Sequence, residues 1–134
     1  MKLPSIIAIL ALMLSALPLT AQEKADAPKV IGLLMYSDTC ASCKVLEPKL
    51  NAVKKDFAGK PILFTRVDET DDFTKHQSAL HSKLLGVADL YAEQGGKTGY
   101  MLLIDAKDKK VLGKLIKTQS EEELKAAIES ALKG

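Results

Sequence analysis

The sequence contains an uninterrupted apolar run of strand length, Val30-Ile31-Gly32-Leu33-Leu34-Met35-Tyr36. A strand with one solvated face would alternate apolar and polar residues, so this run indicates a strand that is buried on both faces of a sheet. Such a strand needs covering layers on both sides, and helices normally supply them. The run therefore favours an α/β domain, and a chain of 134 residues has room for one such domain.

The rest of the sequence alternates between the periods of helices and strands. The predicted elements are a helix from 40 to 57, a strand over 62–67, a helix over 72–85, a loop over 88–98, strands over 100–105 and 110–117, and a capped helix from 120. The first of these helices has an apolar face of Leu46, Leu50, Val53 and Phe57. The second is anchored in this interpretation by Phe73, Leu80 and Leu84.

The order β-α-β-α-β-β-α predicts how the strands pair. Strands separated by helices imply parallel crossovers, and the last two strands, joined by a short turn, must be antiparallel. We therefore expect a four-stranded mixed sheet with helices on both faces.

The residues most suited to chemistry are Cys40-Ala41-Ser42-Cys43, where the first strand ends and the first helix begins. Residues three apart in a helix lie on one face, within the separation that a disulfide spans. The first helical turn presents unpaired N–H groups and the positive end of the dipole, and both favour a thiolate at Cys40. The positive charge of Lys44 also favours the Cys40 thiolate, whereas the negative charge of Asp38 disfavours it. Cys40 is expected to be the exposed nucleophile and Cys43 the resolving thiol.

A metal site is the main alternative use of these cysteines. Zinc usually takes four ligands and the sequence has no second cysteine pair, whereas copper could recruit one histidine. His76 and His81 are five residues apart, about 140° around a helix, so they do not point the same way. We expect both to be solvated surface side chains, and we expect no metal and no cofactor.

Composition argues against a nucleic-acid partner. The formal net charge is only +2, and three Tyr, three Phe and no Trp leave little for stacking on bases. Two lone cysteines are also too few to staple a small scaffold.

The N-terminus has the pattern of a signal peptide, with Lys2 before an apolar run over 3–19. We expect cleavage after Ala21, a tether over 22–29, export to the periplasm and no stable membrane span afterwards. An uncleaved segment that anchors the protein in the membrane is the alternative. The mature protein is expected to be a monomer in an oxidising compartment.

Over about 30–133 the chain resembles thioredoxin-fold proteins. The resemblance depends on the first strand, the Cys-Ala-Ser-Cys-Lys run at 40–44, Pro48 five residues after the second cysteine, and the capped C-terminal helix. It implies a thioredoxin-like domain over 30–134.

The sequence departs from that family at several positions. Thr39 replaces the usual aromatic residue before the first cysteine, and Gly99 stands where the family has a cis-proline. Leu34 and Phe64 replace a buried acid and its lysine partner. About ten extra residues, 88–97, follow the second helix. The candidate substrate contacts are Thr39, Thr98, Gly99, Tyr100 and Tyr91.

The resemblance implies a thiol–disulfide oxidoreductase that exchanges electrons with protein disulfides and thiols. The pair Ala41-Ser42 lacks the histidine of strongly oxidising relatives, which favours a periplasmic reductant supplied by a membrane electron donor. One alternative is a thioredoxin-fold copper chaperone that uses Cys40 and Cys43. Another is a non-catalytic binding module in which the two cysteines form a static disulfide.

Overall fold

The computed structural model describes residues 26–134. Its elements are β1 (Val30–Tyr36), α1 (Ala41–Lys54), a 3-10 turn (Lys55–Phe57), β2 (Ile62–Asp68), α2 (Asp72–Leu84), α3 (Ala88–Gln94), β3 (Tyr100–Asp105), β4 (Val111–Ile116) and α4 (Glu121–Lys133). The predicted signal peptide and the first part of the tether lie outside the described residues. Within the described part, no helix is long and apolar enough to cross a membrane.

The four strands form one mixed sheet in the order β2-β1-β3-β4. β1 and β2 are parallel from the pair Val30 and Ile62 onward, β3 is antiparallel to β1, and β4 is antiparallel to β3. With helices on both faces, this is the thioredoxin-like α/β architecture that the sequence predicts.

One expectation about strand direction is wrong, because β3 does not run parallel to the strands before it. A single helix would return the chain to the end of the sheet where β2 starts. Here the connection contains two helices, and α3 with the loop after it brings the chain back to the end where β2 finishes. β3 therefore begins beside the end of β1, where Tyr100 pairs with Met35.

β1 is buried on both faces, and a separate apolar cluster lies on each side of the sheet. On one side α1 and α4 cover the sheet, and their buried residues include Leu46, Leu50, Leu124 and Ile128. On the other side the residues that follow α2, together with α3, contribute Val87, Leu90 and Tyr91. The predicted apolar face of the first helix is confirmed, since Leu46, Leu50 and Val53 of α1 and Phe57 of the 3-10 turn are all buried.

The segment predicted as a loop over 88–98 contains the helix α3. Leu90 and Tyr91 pack against the second core cluster, and this burial stabilises a short helix that is marginal alone. The helix ends at Gly95, whose φ of +58° is the left-handed conformation that terminates many helices. The apolar pair and the glycine after it are visible in the sequence and are typical of a short helix. The Gly95-Gly96 pair, however, favoured the prediction of a loop.

The predicted anchors of α2 are also wrong. Phe73, Leu80 and Leu84 are exposed, and the residues that α2 buries are Ser78 and Ser82. The Ser78 hydroxyl accepts from the backbone N–H of Asp68 at 2.7 Å and donates to its carbonyl at 3.0 Å. A small hydroxyl side chain thus binds the helix to the end of β2, and the apolar side of the helix is left facing outward.

Candidate active site

Cys40 occupies the N-cap position of α1, directly after the turn that follows β1. Its backbone is extended, and its sulfur accepts the backbone N–H of Cys43 at 3.2 Å. A serine or aspartate oxygen usually performs this capping role. The Cys40 sulfur is therefore held at the positive end of the helix dipole, where negative charge is stabilised.

The two cysteines differ sharply in environment. Cys40 is partly exposed, whereas Cys43, one turn into α1, is completely buried. The Cys43 thiol faces the carbonyl of Met35, with 3.6 Å between sulfur and oxygen. Both cysteines are free thiols in this structure. This arrangement can present one sulfur to a partner while it protects the other.

The pKa values of the two thiols move in opposite directions. Burial by itself raises the pKa of Cys40, but hydrogen bonds from Cys43, from the Thr98 side chain and from nearby backbone N–H groups lower it below its ordinary value. For Cys43, burial and then the neighbouring Cys40 raise the pKa to about 11. Cys40 is consequently the thiol that ionises first.

Gly99 lies against the cysteine pair. A Cβ placed on Gly99 would stand 2.6 Å from the Cβ of Ser42 and 3.2 Å from the sulfur of Cys40. Gly99 has a φ of +96°, and its N–H donates to the carbonyl of Met35 at 2.8 Å. Within residues 26–134, no peptide bond is cis. Gly99 thus makes the close approach at this position with an unusual φ instead of a cis bond.

Two of the predicted contacts, Tyr91 and Tyr100, have other partners. The Tyr91 hydroxyl donates to the carboxylate of Glu69 at 2.5 Å, and burial followed by this bond raises its pKa to about 12. Tyr100 is 6% exposed in the second core cluster, and its hydroxyl donates to the side-chain oxygen of Gln94 at 2.7 Å. Both hydroxyls connect α3 to its surroundings.

The other predicted residues lie on the surface around Cys40. Asp38, Thr39 and Lys44 are exposed, and Thr98 is partly exposed. The Asp38 N–H donates to the hydroxyl of Thr70 at 3.1 Å, which links the loop after β2 to the cysteine loop. Sequence reasoning missed Thr70, and the available signal was its place two residues after the end of β2, a strand parallel to β1.

The residues that replace the family's internal acid and lysine lie on the α1 side of the sheet. Leu34 is buried in the first core cluster, and Phe64 packs on the edge of that cluster. The side chain at 34 therefore offers no group that could take the proton of Cys43.

A copper site would need a histidine near the cysteines. Instead, the Nε2 of His81 is hydrogen-bonded to the hydroxyl of Thr65 at 2.8 Å, on the side of the sheet that α2 covers. His76 is exposed on α2. Across residues 26–134, no three His, Cys, Asp or Glu side chains are grouped so that they could hold a metal ion.

Comparisons with known proteins give a likeness to solved structures but not to a known family. No family model matches the chain, and no curated protein matches it. The chain is similar to a crystal structure of a thiol:disulfide interchange protein, a thioredoxin family protein from Chlorobium tepidum TLS. The TM-score is 0.49 at 18% identity, over 77% of this chain and 78% of that one. Folds host many functions, so a functional conclusion needs the geometry of the site itself.

Proposed function

We propose that the chain is a thiol–disulfide oxidoreductase that works through Cys40 and Cys43. The observation that carries the proposal is the N-cap position of Cys40, whose sulfur accepts the Cys43 N–H at 3.2 Å while Cys43 itself is buried. A partly exposed thiol with a lowered pKa, next to a second thiol within disulfide reach, is what disulfide exchange requires.

In the reducing direction, the thiolate of Cys40 attacks one sulfur of a partner disulfide. A mixed disulfide forms, and the partner's other sulfur leaves as a thiolate that takes up a proton. Cys43 then loses its proton and attacks the sulfur of Cys40, which releases the second partner thiol. One partner disulfide is reduced to two thiols, and Cys40 and Cys43 are oxidised to one disulfide.

The high pKa of Cys43 keeps this thiol protonated until the mixed disulfide has formed. Burial contributes most to that pKa, and the adjacent Cys40 raises it further through a hydrogen bond and through charge. Once Cys40 is in a mixed disulfide, it no longer carries a negative charge. The part of the shift that is due to Cys40 then disappears, and the Cys43 proton becomes easier to remove.

The proposed setting is the periplasm, and the proposed direction is reduction. The apolar run over 3–19 supports export, and the absence of a histidine between the cysteines supports a reductant. A reductant in that compartment needs electrons from across the membrane, so a membrane electron donor completes the proposal.

The test is to trap the mixed disulfide. Cys43→Ser leaves Cys40 able to attack but removes the release step, so a substrate protein with an accessible disulfide should accumulate as a covalent adduct that dithiothreitol reverses. Cys40→Ser, the matched control, should trap nothing. A static disulfide or a metal carrier predicts no adduct from Cys43→Ser, and that result would refute the proposal.

The direction is tested by the reduction potential of the purified protein in graded thiol buffers. A value near roughly −270 mV would support a reductant, and one near about −120 mV would make the protein an oxidant.

A further inference from the structure

The outward side of α2 carries a regular row of exposed residues. Phe73 is 72% exposed, Leu80 44% and Leu84 87%. Gln77, which is also exposed, completes the row. The four residues lie within about 60° of one another around the helix axis and span about 16 Å along it. We call these four residues the α2 row.

Isolated apolar side chains on a protein surface are normal, but a contiguous apolar patch marks an interaction site. An ordinary amphipathic helix turns its apolar side to its own core. In α2 the opposite holds, because Ser78 and Ser82 face the protein and the α2 row faces outward. Covering the row would not disturb the hydrogen bonds by which Ser78 holds the helix.

The spacing of the α2 row is that of a coiled-coil seam, with steps of four, three and four residues. Suppose that a second copy of α2 lies antiparallel along the first, related by a twofold axis near the middle of the row. Phe73 then faces Leu84 of the second copy. Gln77 faces Leu80 of the second copy, and each contact occurs twice. Such self-complementarity is the property of a twofold interface.

The charges beside the row favour the same arrangement. Asp72 is fully exposed beside Phe73, with the ammonium of Lys75 3.7 Å from its carboxylate on the same helix, and Lys83 is exposed beside Leu84. Asp72 and Lys83 lie on the same side of the row. In an antiparallel pair, Asp72 of one copy meets Lys83 of the other, with an axial offset of about 3 Å. In a parallel pair the twofold axis would run along the helices and put this side of the two copies on opposite flanks, so Asp72 of one copy would not meet Lys83 of the other.

We infer that the protein associates with a second copy of itself through the α2 row, as a twofold antiparallel dimer. From the sequence we expect a monomer and, separately, expect Phe73, Leu80 and Leu84 to lie in the core. With three apolar side chains from each copy, the interface is small and the affinity is expected to be micromolar or weaker. This dimer needs neither cysteine, so it is independent of the proposed redox function.

The experiment is sedimentation equilibrium on protein purified after expression of the full chain, with its N-terminus determined by mass spectrometry. Dithiothreitol is present throughout, so intermolecular disulfides cannot form. The mass should rise from one copy to two between about 5 μM and about 1 mM. Leu84→Lys should weaken the dimer by about tenfold or more. Leu112→Lys, at a residue of β4 that is 44% exposed, is the matched control and should not weaken it.

A charge swap tests the orientation. Asp72→Lys and Lys83→Asp should each weaken the dimer, and the double variant should restore it, which a folding defect could not do. Thermal unfolding of each variant shows whether the monomer is intact. Mass that stays at one copy up to about 1 mM would overturn the inference. So would a dimer that tolerates Leu84→Lys, a double swap that fails to restore it, or a monomer whose α2 row binds lipid vesicles instead.

Discussion

Replacing Gly99 with alanine should both destabilise the protein and disturb Cys40. The added Cβ would lie 2.6 Å from the Cβ of Ser42, a distance that real Cβ atoms do not adopt, so α1 or the loop before β3 must move. The φ of +96° adds strain of about 1–2 kcal/mol for any residue with a side chain. Forcing an extra carbon into a packed site costs about 1–3 kcal/mol more.

Gly59→Ala is the matched control, because Gly59 also has a positive φ, +74°, but a Cβ there would meet nothing within 4 Å. It should show the strain alone. The difference between the two variants therefore isolates the clash at about 2 kcal/mol, or about 1 M in the midpoint of urea unfolding.

The assay has two readouts, urea unfolding of the reduced protein and the pH dependence of Cys40 alkylation. Gly99→Ala should lower the unfolding midpoint more than Gly59→Ala does, and it alone should shift the alkylation profile. Equal midpoints together with unchanged alkylation would show that Gly99 does not hold the cysteine loop in this arrangement.

Three further perturbations have distinct expected outcomes. Thr98→Val removes the hydrogen bond to the Cys40 thiolate, so the pKa of Cys40 should rise. The rate of alkylation with iodoacetamide should then reach half its maximum at a higher pH. An unchanged midpoint pH would exclude this hydrogen bond. Ser78→Ala leaves the partly buried backbone N–H and carbonyl of Asp68 without their partner, and urea unfolding should show a loss of about 1 kcal/mol or more. A neutral result would mean that α2 is held mainly by other contacts. Tyr91→Phe removes the bond to Glu69 and should cost about 1 kcal/mol, with faster amide exchange in α3 as its signature; exchange at the original rate would contradict the assignment.

Much of the fold was predictable because it depends on local patterns. The apolar run of β1 required cover on both faces, and the period of α1 identified Leu46 and Leu50 as core residues, as the structure confirms. The capping box of α4 was also readable, and both of its hydrogen bonds are present between Ser120 and Glu123. Local propensity and periodicity act within a few residues of the chain, so a sequence shows them directly.

The direction in which a helix faces was not predictable in the same way. Phe73, Leu80 and Leu84 have the spacing of a buried stripe, but a period shows only that residues share a side of a helix. Ser78 decided the orientation of α2 by binding the backbone at the end of β2, a contact between separate elements.

The sequence by itself determined that a cysteine pair stands where a buried strand meets a helix, because both elements and their junction are local. It also supplied the reason for a reactive Cys40, the unpaired N–H groups of a first helical turn. Only the tertiary structure brought Thr98 and Gly99 against that turn, since the register of β3 on β1 sets their position. The folded protein also raises the pKa of Cys43 to about 11, first through burial and then through the neighbouring Cys40, and the burial of a thiol depends on everything packed around it.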